Sequence, residues 1–183
     1  MLNLLLRDKG YSLKKNTMLV PFQDLPSDSR LWVYQANRLL TSAEKEIVQA
    51  KLTTFCDQWL AHGHPLKASF KIEHSFFIVL AVDESMAGAS GCSIDGSVRM
   101  LKELQLTIGI DFFDRSKSAF LIDGSIQLYK LNELKTLFAE GILKGDSLSF
   151  NNAISSKADF EKSWLVSLDK SWLSKYLPKA ELA

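Results

Sequence analysis

Cysteine is scarce in this sequence, and long apolar runs are absent from it. Only two of the 183 residues are cysteines, Cys56 and Cys92, which is too few for a disulfide framework and favours free thiols in a reducing compartment. No apolar run approaches the ~18–20 residues of a membrane-spanning helix. The opening MLNLLLRDKG is too short an apolar patch for a secretory signal. We therefore expect a cytoplasmic protein with no membrane span.

The sequence also lacks a large excess of charge of either sign, since the formal net charge is only +1. The first 17 residues hold four basic side chains and one acidic side chain, a net charge of +3, so the rest of the chain carries −2. Nucleic-acid binding depends on basic side chains that neutralise phosphates. A mildly acidic body therefore argues against general nucleic-acid binding.

Residues 1–17 show no hydrophobic periodicity and precede a second methionine, Met18. We expect them to be a flexible extension that contributes little to the fold. The remaining residues, 18–183, are enough for one globular domain with its own buried core. A composition of 46% hydrophobic and 23% charged residues is ordinary for such a domain.

The hydrophobic patterns predict elements in the order β-α-β-β-α-β-β-α-β-α. Hairpins between helices favour an α+β fold, in which helices pack on a mainly antiparallel or mixed sheet. The predicted strands are Leu31–Tyr34, Leu66–Ile72, Phe76–Val82, Ala119–Ile122, Ile126–Tyr129 and Leu148–Phe150.

The predicted helices begin at recognisable caps. Thr41-Ser42-Ala43-Glu44 is a capping box, and the helix after it is expected to include Trp59 and to stop at Gly63. A second helix is expected over residues 94–106. Asn132 and Ser156 are expected to cap two further helices.

The stretch Phe76–Leu101 leads to the prediction of a binding site. Seven apolar residues, Phe76 to Val82, suit a central strand that is covered on both faces, and a glycine-bearing loop then leads to helical spacing from Ile94. A helix start presents free N–H groups and the positive end of the helix dipole, which bind anions. The candidate ligand-binding residues are Gly91, Ser93, Asp83, Asp114, Arg115 and Asn151.

Cys92 and Asp95 are the candidate catalytic residues if the protein is an enzyme. A helix start stabilises a thiolate, but a nucleophilic cysteine also needs a base. We favour the alternative that Cys92 is a small buried hydrophobe. Ser93 can be a helix cap, and Asp95 a first-turn acid. The sequence places none of the three histidines beside Cys92: His62, His64 and His74.

Metal and cofactor motifs are missing. The spacing of four acids near predicted strand or loop ends matches no magnesium motif of fixed geometry: Asp83, Glu84, Asp111 and Asp114. The segment DFFDR is also typical of a turn in which Arg115 pairs with one of its acids. His62-Gly63-His64 coincides with a predicted helix end and lacks the other ligands of a zinc site. We therefore predict no metal and no cofactor.

Four motifs carry a resemblance to a known family: SRLWVYQANR (29–38), ASGCSIDGSV (89–98), DFFDR (111–115) and FNNAISSK (150–157). Through them the chain resembles a family of short, uncharacterised proteins from Bacteroidetes that often carry the label "ABC transporter ATPase". The likeness covers roughly residues 19–176, and members commonly begin near the equivalent of Met18. The family pattern has a histidine after its last tryptophan motif, where this chain has Leu173.

The family label implies ATP hydrolysis, which the motifs of this chain do not support. An ABC ATPase holds its phosphates with G-x-x-x-x-G-K-[ST]. The segment Gly141–Gly145 lacks that spacing, and its lysine precedes the second glycine. Residues 90–93 do not match the transporter signature either. We therefore do not expect an ABC-type ATPase.

Three functions remain open from the sequence. The first is a binding or interaction protein that takes a small anionic ligand, or a protein partner, at Ser85–Asp95 with help from Arg115 and Asn151. The second is a small-molecule hydrolase or transferase that uses Cys92 or Asp95. The third is a structural partner in a larger assembly.

Overall fold

The structure is a computed structural model that describes residues 18–85 and 88–178. The flexible extension predicted at residues 1–17 lies outside this range. The fold is α+β, as predicted. Its strands are β1 (Arg30–Gln35), β2 (Leu60–Ala61), β3 (His64–Pro65), β4 (Lys67–Glu73), β5 (Phe77–Asp83), β6 (Lys117–Ile122), β7 (Ser125–Lys130), β8 (Leu148–Phe150) and β9 (Leu165–Ser167). Its α-helices are α1 (Ser42–Asp57), α2 (Gly91–Ile108), α3 (Leu134–Ala139) and α4 (Lys157–Ser163).

Strand β5 is the centre of the first sheet, which has the antiparallel order β1-β5-β4. Residues Phe77–Val82 are fully buried, because the sheet is covered on both faces as the apolar run predicts. The predicted hairpin between β4 and β5 also forms. His74 and Ser75 make its turn with φ values of 53° and 55°, and the N–H of Phe76 donates to the carbonyl of Glu73 at 2.9 Å.

The second sheet has the order β7-β6-β8-β9 and is also antiparallel. Asp123 and Gly124, with φ values of 50° and 74°, form the two-residue turn between β6 and β7, which confirms the predicted hairpin. Strand β8 is confirmed as well. Strand β9, Leu165–Ser167, was not predicted.

The region after α1 differs from its prediction. The helix ends at Asp57, so Trp59 lies beyond it, and its indole Nε1 donates to the carbonyl of Ser93 at 2.9 Å. His62 and Gly63, with φ values of 51° and 79°, form the turn of the short hairpin β2–β3 and do not stop a helix. A left-handed glycine after a polar residue fits either role, and the sequence alone does not separate them.

Helix α1 begins with the predicted capping box. The N–H of Glu44 donates to Thr41 Oγ1 at 3.3 Å, and the N–H of Thr41 donates to Glu44 Oε2 at 2.8 Å. Both terminal nitrogens of Arg38 donate hydrogen bonds to the same carboxylate, at 2.8 Å and 3.0 Å. These hydrogen bonds lower the pKa of Glu44 to about 2, and those from Arg38 have the largest effect.

Removing the guanidinium of Arg38 should raise the pKa of Glu44 towards its ordinary value. We expect Arg38→Ala to raise the pKa of Glu44 from about 2 by at least about one unit, because an adjacent opposite charge stabilises the ionised form. Because the pKa of Glu44 is lower in the folded state than in the unfolded state, its carboxylate stabilises the fold at pH values above the unfolded-state pKa. This stabilisation is lost as the pH falls towards 2. Carboxyl-detected NMR titration measures the shift.

The control for this titration is Arg99→Ala, which removes an exposed arginine that does not bond to Glu44. It should leave the pKa of Glu44 unchanged. An equal pKa in the wild type and in Arg38→Ala would show that the cap alone holds the carboxylate ionised.

The main hydrophobic core joins both sheets. On one face of the first sheet, Trp32 meets Trp59 with ring centroids 6.0 Å apart, beneath α1 and α2. On the other face, Phe77 contacts Phe150 at 4.7 Å and Trp164 at 5.0 Å. Since Phe150 belongs to β8 and Trp164 follows α4, this cluster holds the second sheet and α4 against the first sheet.

A smaller core covers the other face of the second sheet, beneath α3 and the 3₁₀ helices Leu168–Lys170 and Trp172–Tyr176. Asn132 does not cap α3, which corrects its prediction. Glu133 precedes the helix and makes no side-chain cap. The buried residues of this core are Phe120, Leu134, Leu137, Phe138, Leu143, Leu168, Leu173 and Leu177.

Helix α2 is the longest helix described, with 18 residues. It begins three residues before the predicted Ile94, at Gly91, and ends at Gly109, whose φ of 65° gives a left-handed cap. Among residues 18–85 and 88–178, no helix is both long enough and apolar enough to cross a membrane.

Candidate functional site

Ser90, and not Ser93, caps helix α2. The N–H of Ser93 donates to Ser90 Oγ at 3.2 Å, and the N–H of Ile94 donates to the Ser90 carbonyl at 3.0 Å. Ser93 is buried, and its own hydroxyl donates to the Ser90 carbonyl at 2.8 Å. Asp95 lies beyond the first turn, which contains no acidic residue. The predicted roles of Ser93 as a cap and of Asp95 as a first-turn acid are therefore wrong.

Two backbone amides remain free at this helix start. Within the part of the chain that the structure describes, the N–H groups of Gly91 and Cys92 donate to no acceptor. Both residues are exposed. A Cβ placed on Gly91 would meet no atom within 4 Å. The side of Gly91 on which a side chain would stand is therefore open.

Two acids shape the loop that leads to this helix. Glu84 accepts a hydrogen bond from the N–H of Ala89 at 2.8 Å and pairs with Arg30 at 3.5 Å. Asp83 accepts from the N–H of Ser85 at 2.9 Å, and this bonding to Ser85 lowers the pKa of Asp83. These carboxylates hold the chain at the exit of β5. Asp83, a predicted ligand-binding residue, thus already has bonding partners.

The thiol of Cys92 is exposed, so the expectation of a small buried hydrophobe is wrong. The sequence pattern predicted a start of α2 at Ile94, three residues after the observed start at Gly91, and therefore did not show that Cys92 faces outward. Cys56 is the buried cysteine, and desolvation raises its pKa to about 12. No hydrogen bond joins Cys92 to a histidine or a carboxylate within the described ranges. The described residues therefore contain no paired nucleophile and base at this position.

Three other candidate residues lie around the start of β6 and the end of β8. Asp114 accepts from the backbone and hydroxyl of Ser116, and these bonds lower the pKa of its carboxyl. Lys117 is the nearest cation, 3.9 Å from Asp114, so the ion pair expected from Arg115 is not formed in the described chain. Asn151 Oδ1 accepts from the N–H of Ala153 at 3.3 Å.

The predicted residues therefore divide between the two ends of β1. Arg30, at its first position, pairs with Glu84 beside the start of α2. Gln35, at its last position, donates to the backbone carbonyl of Lys117 at 3.3 Å. The side chain of Lys117 in turn lies near Asp114. Five steps along a strand separate these ends by roughly 17 Å. Within the described ranges, no hydrogen bond or ion pair joins Cys92 or Asp95 to Asp114 or Asn151.

Sequence reasoning missed a polar network at the second of these ends. Trp164 Nε1 donates to Asn152 Oδ1 at 3.1 Å, and Asn152 Nδ2 donates to Gln35 Oε1 at 3.1 Å. Gln35 then bonds to β6, as described above. The paired asparagines after β8 were a signal of a polar junction, but only the three-dimensional arrangement identifies Gln35 as the partner. The network fixes the two sheets relative to each other.

Among the residues described, no three histidine, cysteine, aspartate or glutamate side chains come together to hold a metal ion. No family model, curated protein or solved structure matches this chain.

Proposed function

We propose that the protein binds a small anionic ligand at the start of α2, through the amides of Gly91 and Cys92. The observation that supports this most directly is that both amides are free and exposed at the start of an 18-residue helix. Helix starts attract anions, because unpaired N–H groups point outward and the helix dipole places partial positive charge there.

The charges around the site favour a compact anion with one charged group. Glu84 brings a negative charge to the loop, but Arg30 pairs with it and Ala89 donates to it. The ligand then meets two N–H donors, those of Gly91 and Cys92, because the hydroxyl of Ser90 already bonds to Ser93. A phosphate or sulfate group on a small molecule matches this set of donors. We propose further that the protein acts in the cytoplasm, where an exposed thiol such as that of Cys92 stays reduced.

An enzyme remains the second candidate, because the exposed thiol of Cys92 lies on the same residue as one of the two donor amides. A bound anion would therefore sit beside a potential nucleophile, as in a hydrolase or transferase. Phosphate should then slow the alkylation of Cys92 by iodoacetamide. A covalent adduct with a phosphate or acyl substrate, lost in Cys92→Ser, is the outcome that would favour the enzyme.

Gly91→Pro tests the anion site with little risk to the fold. Proline removes only the N–H of residue 91 and is favoured at the first position of a helix. Ser90, at φ −80° and ψ 163°, already has the extended backbone that precedes proline. We expect the variant to bind phosphate about tenfold more weakly than the wild type, since one charge-assisted hydrogen bond is lost. A ¹⁵N NMR titration with phosphate measures this at the amide of Cys92.

The matched control is Gly91→Ala, which keeps the amide and adds a methyl group into open space. It should bind phosphate as the wild type does. Phosphate also stabilises most proteins by exclusion from their surface, so the titration is compared with chloride at equal ionic strength. Shifts at Cys92 that do not saturate, or that are equal in all three proteins, would rule out the site.

A further inference from the structure

The outer edge of strand β4 is only partly used. At its start, the N–H of Ala68 donates to the carbonyl of Met18 at 2.9 Å, and the N–H of Val20 donates to the carbonyl of Ala68 at 3.0 Å. The chain then leaves this edge at Pro21. Backbone groups alternate sides along an antiparallel strand, so Phe70 and Ile72 direct theirs outward as Ala68 does. Within the described ranges they have no partner.

A groove of about 720 Å³ lies at the end of this open edge, between Ile72 of β4 and α1. The side chain of Ile72 forms its apolar floor, and the turn residue His74 closes one end. Lys45 and Glu46, on α1, give its wall one charge of each sign. The open edge thus has both free backbone groups and room beside it for an added strand and its side chains.

The charges on the strand are self-complementary. Lys71 and Glu73 lie on the same face of β4 and pair with each other at 2.7 Å. In an antiparallel pair of two copies centred on Ile72, Lys71 of each copy lies directly opposite Glu73 of the other. Opposite charges in directly facing positions stabilise a sheet. A register centred on Lys71 would instead set Lys71 against itself, which like-charge repulsion disfavours.

We infer that β4 is the contact of a symmetric dimer, in which a second copy of this chain adds its β4 antiparallel at Ile72 and closes the groove beside α1. A two-fold contact of this kind uses the same patch on both subunits. The two copies exchange the N–H and carbonyl of Ile72, and two Lys71–Glu73 pairs flank that central position. This contact does not depend on the proposed anion site.

A charge-swap experiment tests the register directly. Glu73→Lys places two lysines on each strand, and Lys71→Glu places two glutamates there, so each variant repels its own copy. We expect each to dimerise at least about tenfold more weakly than the wild type. An equimolar mixture of the two variants restores both opposite-charge pairs and should regain the dimer. Sedimentation velocity over a concentration series up to about 1 mM gives the dissociation constants.

Two controls keep this test decisive. Lys102→Glu makes the same charge change at an exposed position of α2 and should dimerise as the wild type does. Lys71 lies over the rings of Phe22 and Phe160, so Lys71→Glu can weaken the fold. Ile72→Pro is therefore tested as well, because the lost N–H points outward and proline is tolerated there. It should be monomeric and folded by circular dichroism.

Three results would overturn the inference. They are a wild type that stays monomeric up to about 1 mM, a Glu73→Lys or Ile72→Pro variant that dimerises as tightly as the wild type, and a mixture of the two folded charge variants that associates no better than either alone. A dimer that persists in these variants would place the contact elsewhere on the surface.

Discussion

Phe77→Ala is expected to lower the free energy of unfolding by about 3–5 kcal/mol, the usual cost of removing a buried ring from a core. Phe77 is fully buried at the start of β5. Its ring lies 4.7 Å from that of Phe150 and 5.0 Å from that of Trp164. The substitution therefore leaves a cavity where the central sheet meets β8 and the end of α4. Denaturant unfolding followed by tryptophan fluorescence measures the loss.

The loss should be large compared with total stability, because domains are stable by only about 5–15 kcal/mol. Phe77→Leu keeps much of the volume and should cost clearly less than the alanine variant. Leu106→Ala is the surface control, since Leu106 is 86% exposed, and should change stability by no more than about 0.5 kcal/mol. A loss in Phe77→Ala as small as in this control would mean that the ring cluster does not hold the two sheets together.

The part of the fold that could be predicted is the part with strong local signals. The uninterrupted apolar run became the buried β5, because a strand with two covered faces needs apolar residues at every position. The capping box at Thr41 fixed the start of α1, and Asp123-Gly124 fixed the hairpin of β6 and β7. In each case neighbouring residues specify the structure without distant partners.

The start of α2 was misplaced, because two serines in this loop satisfy the same local rule. Ser90 and Ser93 can each cap a helix, and the first apolar residue with helical spacing, Ile94, favoured the later one. In the structure the hydroxyl of Ser90 takes the cap. Tertiary contact contributes to this choice, since the indole of Trp59 binds the carbonyl of Ser93 within the first turn. That contact joins residues 34 positions apart and has no local signature.

The candidate site was predicted only in part for the same reason. Gly91 was named from the loop that precedes α2, and its free amide remains the basis of the proposed anion site. Asp114, Arg115 and Asn151 were added because they also follow predicted elements. Which end of the first sheet each of them reaches depends on strand register and on the packing of the second sheet. Neither property can be read from the pattern of one sequence.

Lys157→Met is the other substitution with a large expected effect, a loss of about 2 kcal/mol in the free energy of unfolding. Lys157 is buried, and its Nζ donates to the carbonyls of Leu25 at 2.6 Å and Gln23 at 3.1 Å. Glu161 lies 3.8 Å away and is half exposed. Methionine keeps the apolar stem but leaves both carbonyls without this donor, so the segment Phe22–Leu25 loses these two hydrogen bonds to α4.

Two opposing terms decide the size of this effect. Burying the ammonium group of Lys157 costs desolvation free energy in the folded state. Replacing it with an uncharged side chain removes this cost and so stabilises the fold in part. The two unpaired carbonyls then cost more than this gain, because hydrogen bonds to a charged donor are worth about 1.5–3 kcal/mol each. Lys162→Met, on the exposed side of α4, is the matched control and should change stability by no more than about 0.5 kcal/mol. Faster hydrogen exchange at the amide of Leu25 in Lys157→Met alone would locate the loss in this segment. Equal stability of the two variants would instead mean that the desolvation of Lys157 cancels both of its hydrogen bonds.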